Sequence, residues 1–140
     1  MRRVVLISAF ALLLAATPSF AHHSYGEYDQ DHAVSVTGTI LQMVIGSPHT
    51  VLRLRTDDST IYTLVWGNAQ QLARWGIKPG VLHAGDRIVV TGSEMRDRSF
   101  HTMSLLTEIR RPTDGWRWTR PSDAPASSGT TAAAPGSTHQ

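Results

Sequence analysis

Seven histidines and no cysteine set the chemistry open to this chain, and two of the histidines, His22 and His23, stand side by side in the stretch SFAHHSYGEYD. A cut after Ala21 makes His22 the mature amino terminus. One residue then offers two nitrogen donors, the free α-amine and the ring Nδ1, which close a six-membered chelate around a metal. The amine has an ordinary pKa of about 7.7 to 8.0, so a metal can displace its proton near neutral pH. A third nitrogen from His23, His49 or His101 completes a planar or T-shaped set, the geometry that suits Cu(II) among divalent ions. The favoured third donor is His49, in the turn IGSPHT where Gly46 and Pro48 restrict the backbone, which gives His22, His23 and His49 as candidate metal ligands. The bland alternative is that both terminal histidines are tolerated polar residues at a frayed chain end, and that a turn histidine faces solvent. A cut one residue earlier leaves Ala-His-His, an amino-terminal Cu(II)/Ni(II) pattern, but places Phe20 at the cleavage position, where a small residue is expected.

The segment ahead of the histidines decides the compartment. Arg2 and Arg3 precede an apolar run of 13 residues, Val4 to Ala16, followed by Thr17, Pro18, Ser19, Phe20 and Ala21 with small residues at the −3 and −1 positions. That is the pattern of a secretory signal peptide over residues 1–21, and the run is shorter than the roughly 18–20 residues of a spanning helix. The expected product is a periplasmic or secreted protein with no transmembrane segment. Its 119 residues carry 11 basic and 11 acidic side chains, so the excess of +2 in the full chain disappears. No Lys or Arg run remains to follow a phosphate backbone, which argues against a nucleic-acid partner. Thiol chemistry and disulfides are excluded, and the single Lys, Lys78, against 12 Arg removes most Schiff-base schemes.

The elements that must position these groups follow from periodicity. Residues 22–32 are polar and aromatic, 33–111 alternate apolar and polar, and 112–140 are rich in Pro, Ser, Thr, Ala and Gly, a composition that predicts a disordered tail from which Trp116 and Trp118 dock back on the core. In VSVTGTILQMVI the apolar phase shifts by one residue next to Gly38, between Ile40 and Leu41, as in a bulged and bent strand. TVLRLRT and TIYTLVW follow, with Asp57, Asp58 and Ser59 as a hairpin turn, Arg53 and Arg55 outward, and Tyr62, Leu64 and Trp66 on one face. NAQQLARWG switches to helical spacing, with Asn68 as cap and Gly76 as terminator. DRIVVTGS and HTMSLLTEIRR close the series, the last with Met103, Leu105, Thr107 and Ile109 on one side. Three strands, a helix near 68–75 and two strands are the order of a five-stranded OB-fold barrel, an all-β class. Leu52, Leu54, Leu64, Leu72, Ile88, Val90 and Leu105 are the expected core.

Those same stretches carry a family resemblance. AHHSYGEYD, VTGTI, SPH before a strand, LVWGNAQQLARWG and LHAGDRIVVTGSEMRDRS resemble DUF6152, a family of short exported bacterial proteins of unknown function. Asn-Pro-His is usual there where this chain has Ser47-Pro48-His49, and Gly-Ser-Pro where it has Gly67-Asn68-Ala69. The resemblance implies an OB-like fold and brings no established activity with it. A terminal histidine chelate, for its part, resembles the histidine brace of copper monooxygenases and periplasmic copper carriers.

No phosphate loop, Gly-x-Ser-x-Gly elbow or His-Glu-x-x-His motif occurs, so no catalytic residue is assigned. His32 among Asp29 and Asp31 reads as a turn contact; His83, His101 and His139 receive no role. Two classes of function follow: an exported non-enzymatic OB-fold module binding a small ligand, an envelope component or Cu(II), and a copper-dependent oxidase or monooxygenase using His22. A structural envelope partner docking through Arg53 and Arg55 is the third reading.

Overall fold

The computed structural model describes residues 25–122. The signal-peptide reading, His22 and His23, and the chain beyond Ser122 lie outside the described residues. Among the described residues, six strands make one sheet: β1 (Tyr28–Val44), β2 (Thr50–Arg55), β3 (Ile61–Trp66), β4 (Arg87–Met95), β5 (Thr102–Arg111) and β6 (Trp116–Thr119), with one α-helix, α1 (Ala69–Arg74), between β3 and β4. The order is β3-β2-β1-β4-β5-β6, antiparallel throughout except that β3 also meets β5 in parallel at Thr63 and Leu64, opposite Thr102 and Met103. The ladders through β1, β2, β3, β5 and β4 therefore run in a cycle.

β1 belongs to both sides of that cycle. It pairs with β4 from Tyr28 to Thr39 and with β2 from Thr39 to Val44, with a register shift between Ile40 and Gln42. Leu41 is the extra residue, 38% exposed, while Ile40 is buried. Gly38 allows the bend, since a Cβ there would stand 2.5 Å from the Arg55 carbonyl oxygen. The expected phase change thus coincides with an actual bulge.

The core gathers Ile40, Leu52, Leu54, Leu64, Leu72, Ile88, Val90, Met103, Leu106 and Ile109, joined by Trp66 and Trp118. Two expectations are corrected. The strand count is six, because Trp116–Thr119 pairs with residues 108–111 of β5 and buries Trp118, which is how the two tryptophans dock. In β5 the buried leucine is Leu106 and Leu105 is only half-buried. The ladder jumps from the Thr91–Glu108 pair to the Ser93–Ser104 pair, so three residues of β5 face Gly92 alone and Leu105 takes a φ of 51°. That bulge inverts the alternation.

Ion pairs fasten the turns. Arg87 grips Asp57 with two hydrogen bonds of 2.8 and 2.7 Å, tying the β2–β3 turn to the start of β4. Arg111 donates to Asp86 at 2.6 Å and to Asp114 at 2.8 Å, locking the β5–β6 turn against the entry to β4. These bonds hold Asp57 and Asp114 below the usual carboxylate range.

Candidate functional site

One cleft of about 220 Å3 opens where the β1–β2 loop, the end of β3, α1, β5 and the residue after β6 converge. The loop is tied down on both sides, by the Gly46 carbonyl accepting from the Ala69 amide at 3.0 Å and by the Thr50 amide donating to the Gly67 carbonyl at 3.1 Å. His49, exposed, is thereby fixed beside the start of α1. The Ser47–Pro48 peptide in this loop is cis. Asn68 and Gln71 form a reciprocal capping box, each bond 2.9 Å, so the first turn of α1 is closed by its own side chains. Trp75 follows at the helix end and packs on Trp118 with ring centres 5.3 Å apart, while Trp118 meets Trp66 edge-on at 4.9 Å. The β5 bulge brings Ser104, Leu105 and Leu106 into the wall, and Tyr25 closes it from the amino-terminal side.

The cleft also holds a cation that sequence reasoning missed. Arg120 follows β6 directly; its backbone amide donates to the Thr107 carbonyl at 2.8 Å and its Nε to the Leu106 carbonyl at 2.9 Å. Burial pulls its guanidinium below the usual arginine range, an effect that nearby Tyr25 partly offsets. Among the described residues its Nη1 and Nη2 find no partner and no carboxylate pairs with it. Trp66 Nε1, in the floor of the cleft, is likewise buried without a hydrogen-bond partner.

Of the expected metal ligands, only His49 lies among the described residues, and it lines this cleft. His101 does not: it precedes β5 with a φ of 44°, its ring lies 5.3 Å from that of Tyr62, and its Nδ1 is buried without a partner. His32 contacts Asp29 at 3.2 Å within β1. Among the described residues no three His, Asp or Glu side chains gather as a metal-holding group. Asp57 and Asp58 diverge, the first to Arg87 and the second to Thr56 and Thr60, as a hydrated turn requires. A second polar group, Glu94 with Tyr62 at 3.0 Å and Arg98 at 2.5 Å, is internally satisfied: each carboxylate oxygen has a donor. It braces β3 against β4.

Nothing in the sequence marked Arg120, because Thr-Arg-Pro reads as the start of a polar tail. Tyr25 and Trp75 are aromatics at the amino-terminal side of the cleft and at the end of α1. The cleft uses both.

Comparison with protein families finds a match to a family of unknown function, DUF6152, over residues 11–104. A comparison with curated proteins finds no match. Among solved structures, the chain is similar to a ZRD-deleted mutant of TiaS in complex with agmatine and to apo TiaS, a tRNAIle2 agmatidine synthetase. Each is 21% identical over 57% of this chain, with a TM-score of 0.42. The similarity covers 21% and 18% of those chains, and at that level it assigns nothing to this one.

Proposed function

The chain belongs to the DUF6152 family, which carries no function of its own to lend, and we propose from the cleft that it is an exported, non-enzymatic binding module built as an OB-like barrel. Support for the barrel comes from the cycle of ladders, the bulged β1 shared by both sides and the helix between β3 and β4. Support for export comes from Arg2, Arg3, the apolar run and Ala21; no helix among the described residues is long and apolar enough to cross a membrane. The observation that carries the binding role is the cleft itself: aromatic walls, a loop histidine, and a half-buried arginine without a carboxylate. In OB-folds the β1–β2 loop borders the ligand face, and His49 stands on that loop. Amide chemical-shift mapping with small organic probes tests it. Binding should move His49, Ser104, Leu105 and the Trp75 indole; shifts confined to the Arg53 and Arg55 face would place the function elsewhere.

A separate observation favours Cu(II) as a second reading. Tyr25, three residues after His22, lines the same cleft as His49, and three extended residues span roughly 10 Å at most, the reach within which this reading needs the terminal amine to meet the loop. The α-amine, the His22 ring and His49 would then be the donors, with His23 as the alternative third, and Zn(II), which prefers a tetrahedron, would bind more weakly. Calorimetry on the protein starting at His22, beside a version carrying one additional Gly, decides it. The extension should weaken Cu(II) at least tenfold, and equal affinity would remove the amine from the site. Cu(II) on neutral nitrogens would add positive charge to a cleft that already holds the Arg120 guanidinium.

A further inference from the structure

We infer that the cleft takes a small organic monocarboxylate, its two oxygens bridged by Nη1 and Nη2 of Arg120 and its apolar body laid against the aromatic wall. This rests on the cleft being a binding site and names the class of ligand it selects.

Of the other described arginines, those without a carboxylate partner, Arg53, Arg55, Arg74 and Arg96, are exposed. Arg87 pairs with Asp57, Arg98 with Glu94, Arg117 with Glu108, and Arg111 with both Asp86 and Asp114. Arg111 is the informative contrast: its side chain is only 15% exposed and two carboxylates compensate its charge. Arg120 is also withdrawn from solvent, yet none of the described carboxylates approaches it. A half-buried charge left uncompensated costs stability unless something external completes it. Its orientation is already set. The Nε bond to Leu106 and the amide bond to Thr107 hold the side chain along β5, which leaves the two terminal nitrogens as its uncommitted donors. Two parallel N–H groups at that end match the two oxygens of a carboxylate.

Charge balance separates a carboxylate from a phosphate. One guanidinium neutralises one carboxylate, whereas a phosphate monoester brings about −1.5 to −2 at neutral pH. The surplus would sit beside Tyr25, Pro48, Trp75 and Leu105, in a lining that supplies no second arginine or lysine to pair with it. The same four side chains offer contact to an apolar ligand body, and a ring stacked on Trp75 gains from aromatic packing. Size sets the upper bound. About 220 Å3 is below the roughly 300–1,000 Å3 of pockets for drug-sized ligands, so the ligand is a one-ring or short-chain acid.

Sodium benzoate is the probe, with benzyl alcohol and phenyl phosphate as its neutral and doubly charged counterparts. Each is titrated into the protein starting at His22 and read by amide and indole chemical shifts. Benzoate should saturate the shifts of His49, Ser104, Leu105 and the Trp75 indole, with benzyl alcohol and phenyl phosphate at least tenfold weaker at the same residues. Arg120→Gln should weaken benzoate at least tenfold, and Arg120→Lys, which keeps the charge and loses the fork, should fall between. Benzyl alcohol binding as well as benzoate, phenyl phosphate binding better, or Arg120→Gln retaining full affinity would overturn the carboxylate inference while leaving the cleft a binding site. If no probe moves any cleft resonance, both the inference and the binding reading fall. Should Arg120→Gln prove unfolded, the wild-type comparison of benzoate with benzyl alcohol decides alone.

Discussion

Gly92→Ala tests whether the β5 bulge, which sets the cleft wall, is built as described. A Cβ at Gly92 would lie 2.8 Å from the Ser104 carbonyl oxygen, 2.8 Å from Leu106 Cδ2 and 3.1 Å from Leu106 Cα. Two of those three atoms are backbone and cannot rotate away; the third belongs to a side chain that is 1% exposed. Carbon contacts are comfortable at about 3.5–4.0 Å, so β4 and β5 must part by several tenths of an ångström at the point where they cover the core. That places the cost in the upper half of the 1–3 kcal/mol typical of overpacking, about 2–3 kcal/mol. For a domain near 100 residues this corresponds to a fall in Tm of roughly 10–20 °C. The assay is thermal and urea unfolding followed by near-ultraviolet circular dichroism, which reports the Trp66–Trp118 packing. Gly46→Ala is the control, because its Cβ would meet only the His49 carbonyl oxygen at 3.6 Å; it should stay within about 1 kcal/mol of the parent. A Gly92→Ala protein as stable as the Gly46→Ala control would refute the strand geometry on which the position of Leu105 rests.

Leu54→Ala should cost on the order of 2–5 kcal/mol, since Leu54 is fully buried. A melt within a degree or two of the parent would mean that the inward face of β2 is misassigned. Leu106→Ala should cost a similar amount and Leu105→Ala clearly less, because only the first is enclosed; the reverse order would restore the plain alternation in β5. Acid stability should follow Asp57 and Asp114, whose pKa values are lowered chiefly by hydrogen bonds from Arg87 and Arg111 respectively. A depressed carboxylate contributes above its ordinary value of 3.8 and loses that contribution as pH falls through the lower folded value. Urea midpoints should therefore hold down to about pH 4 and drop below it, with Asp114→Asn showing a shallower drop than the parent; parallel curves would mean that the Arg111 pair carries no linkage.

The bend in β1 was legible because its cause is local: the apolar phase slips beside Gly38, and the residue that cannot carry a Cβ next to Arg55 is the one the sequence displays. The helix was legible for the same reason, since Asn68 and Gln71 satisfy the first turn by themselves. Leu105 and Leu106 are a different case. Both are apolar, strict alternation selects the first, and only the presence of Gly92 on another strand makes room for the second. β6 lay within reach of local reasoning, because Asp114 and Gly115 are turn residues and Trp116-Arg117-Trp118 alternates. The Pro- and Ser-rich composition of the following residues concealed that signal. His49 in its Pro-containing loop could be proposed from sequence, and it is one of the residues that line the cleft. Arg120 could not, because its significance comes from what is absent around it: a carboxylate missing in three dimensions leaves no mark in the chain.

The cleft between Tyr25, His49, Trp75 and Arg120 is the proposed place where this protein meets its ligand. The most direct measurement is a crystal structure of the chain beginning at His22, grown with benzoate. The expected result is a carboxylate within hydrogen-bond distance of both Nη atoms of Arg120 and a ring against Trp75. Benzoate ordered elsewhere on the sheet, with the cleft filled only by solvent, would contradict it.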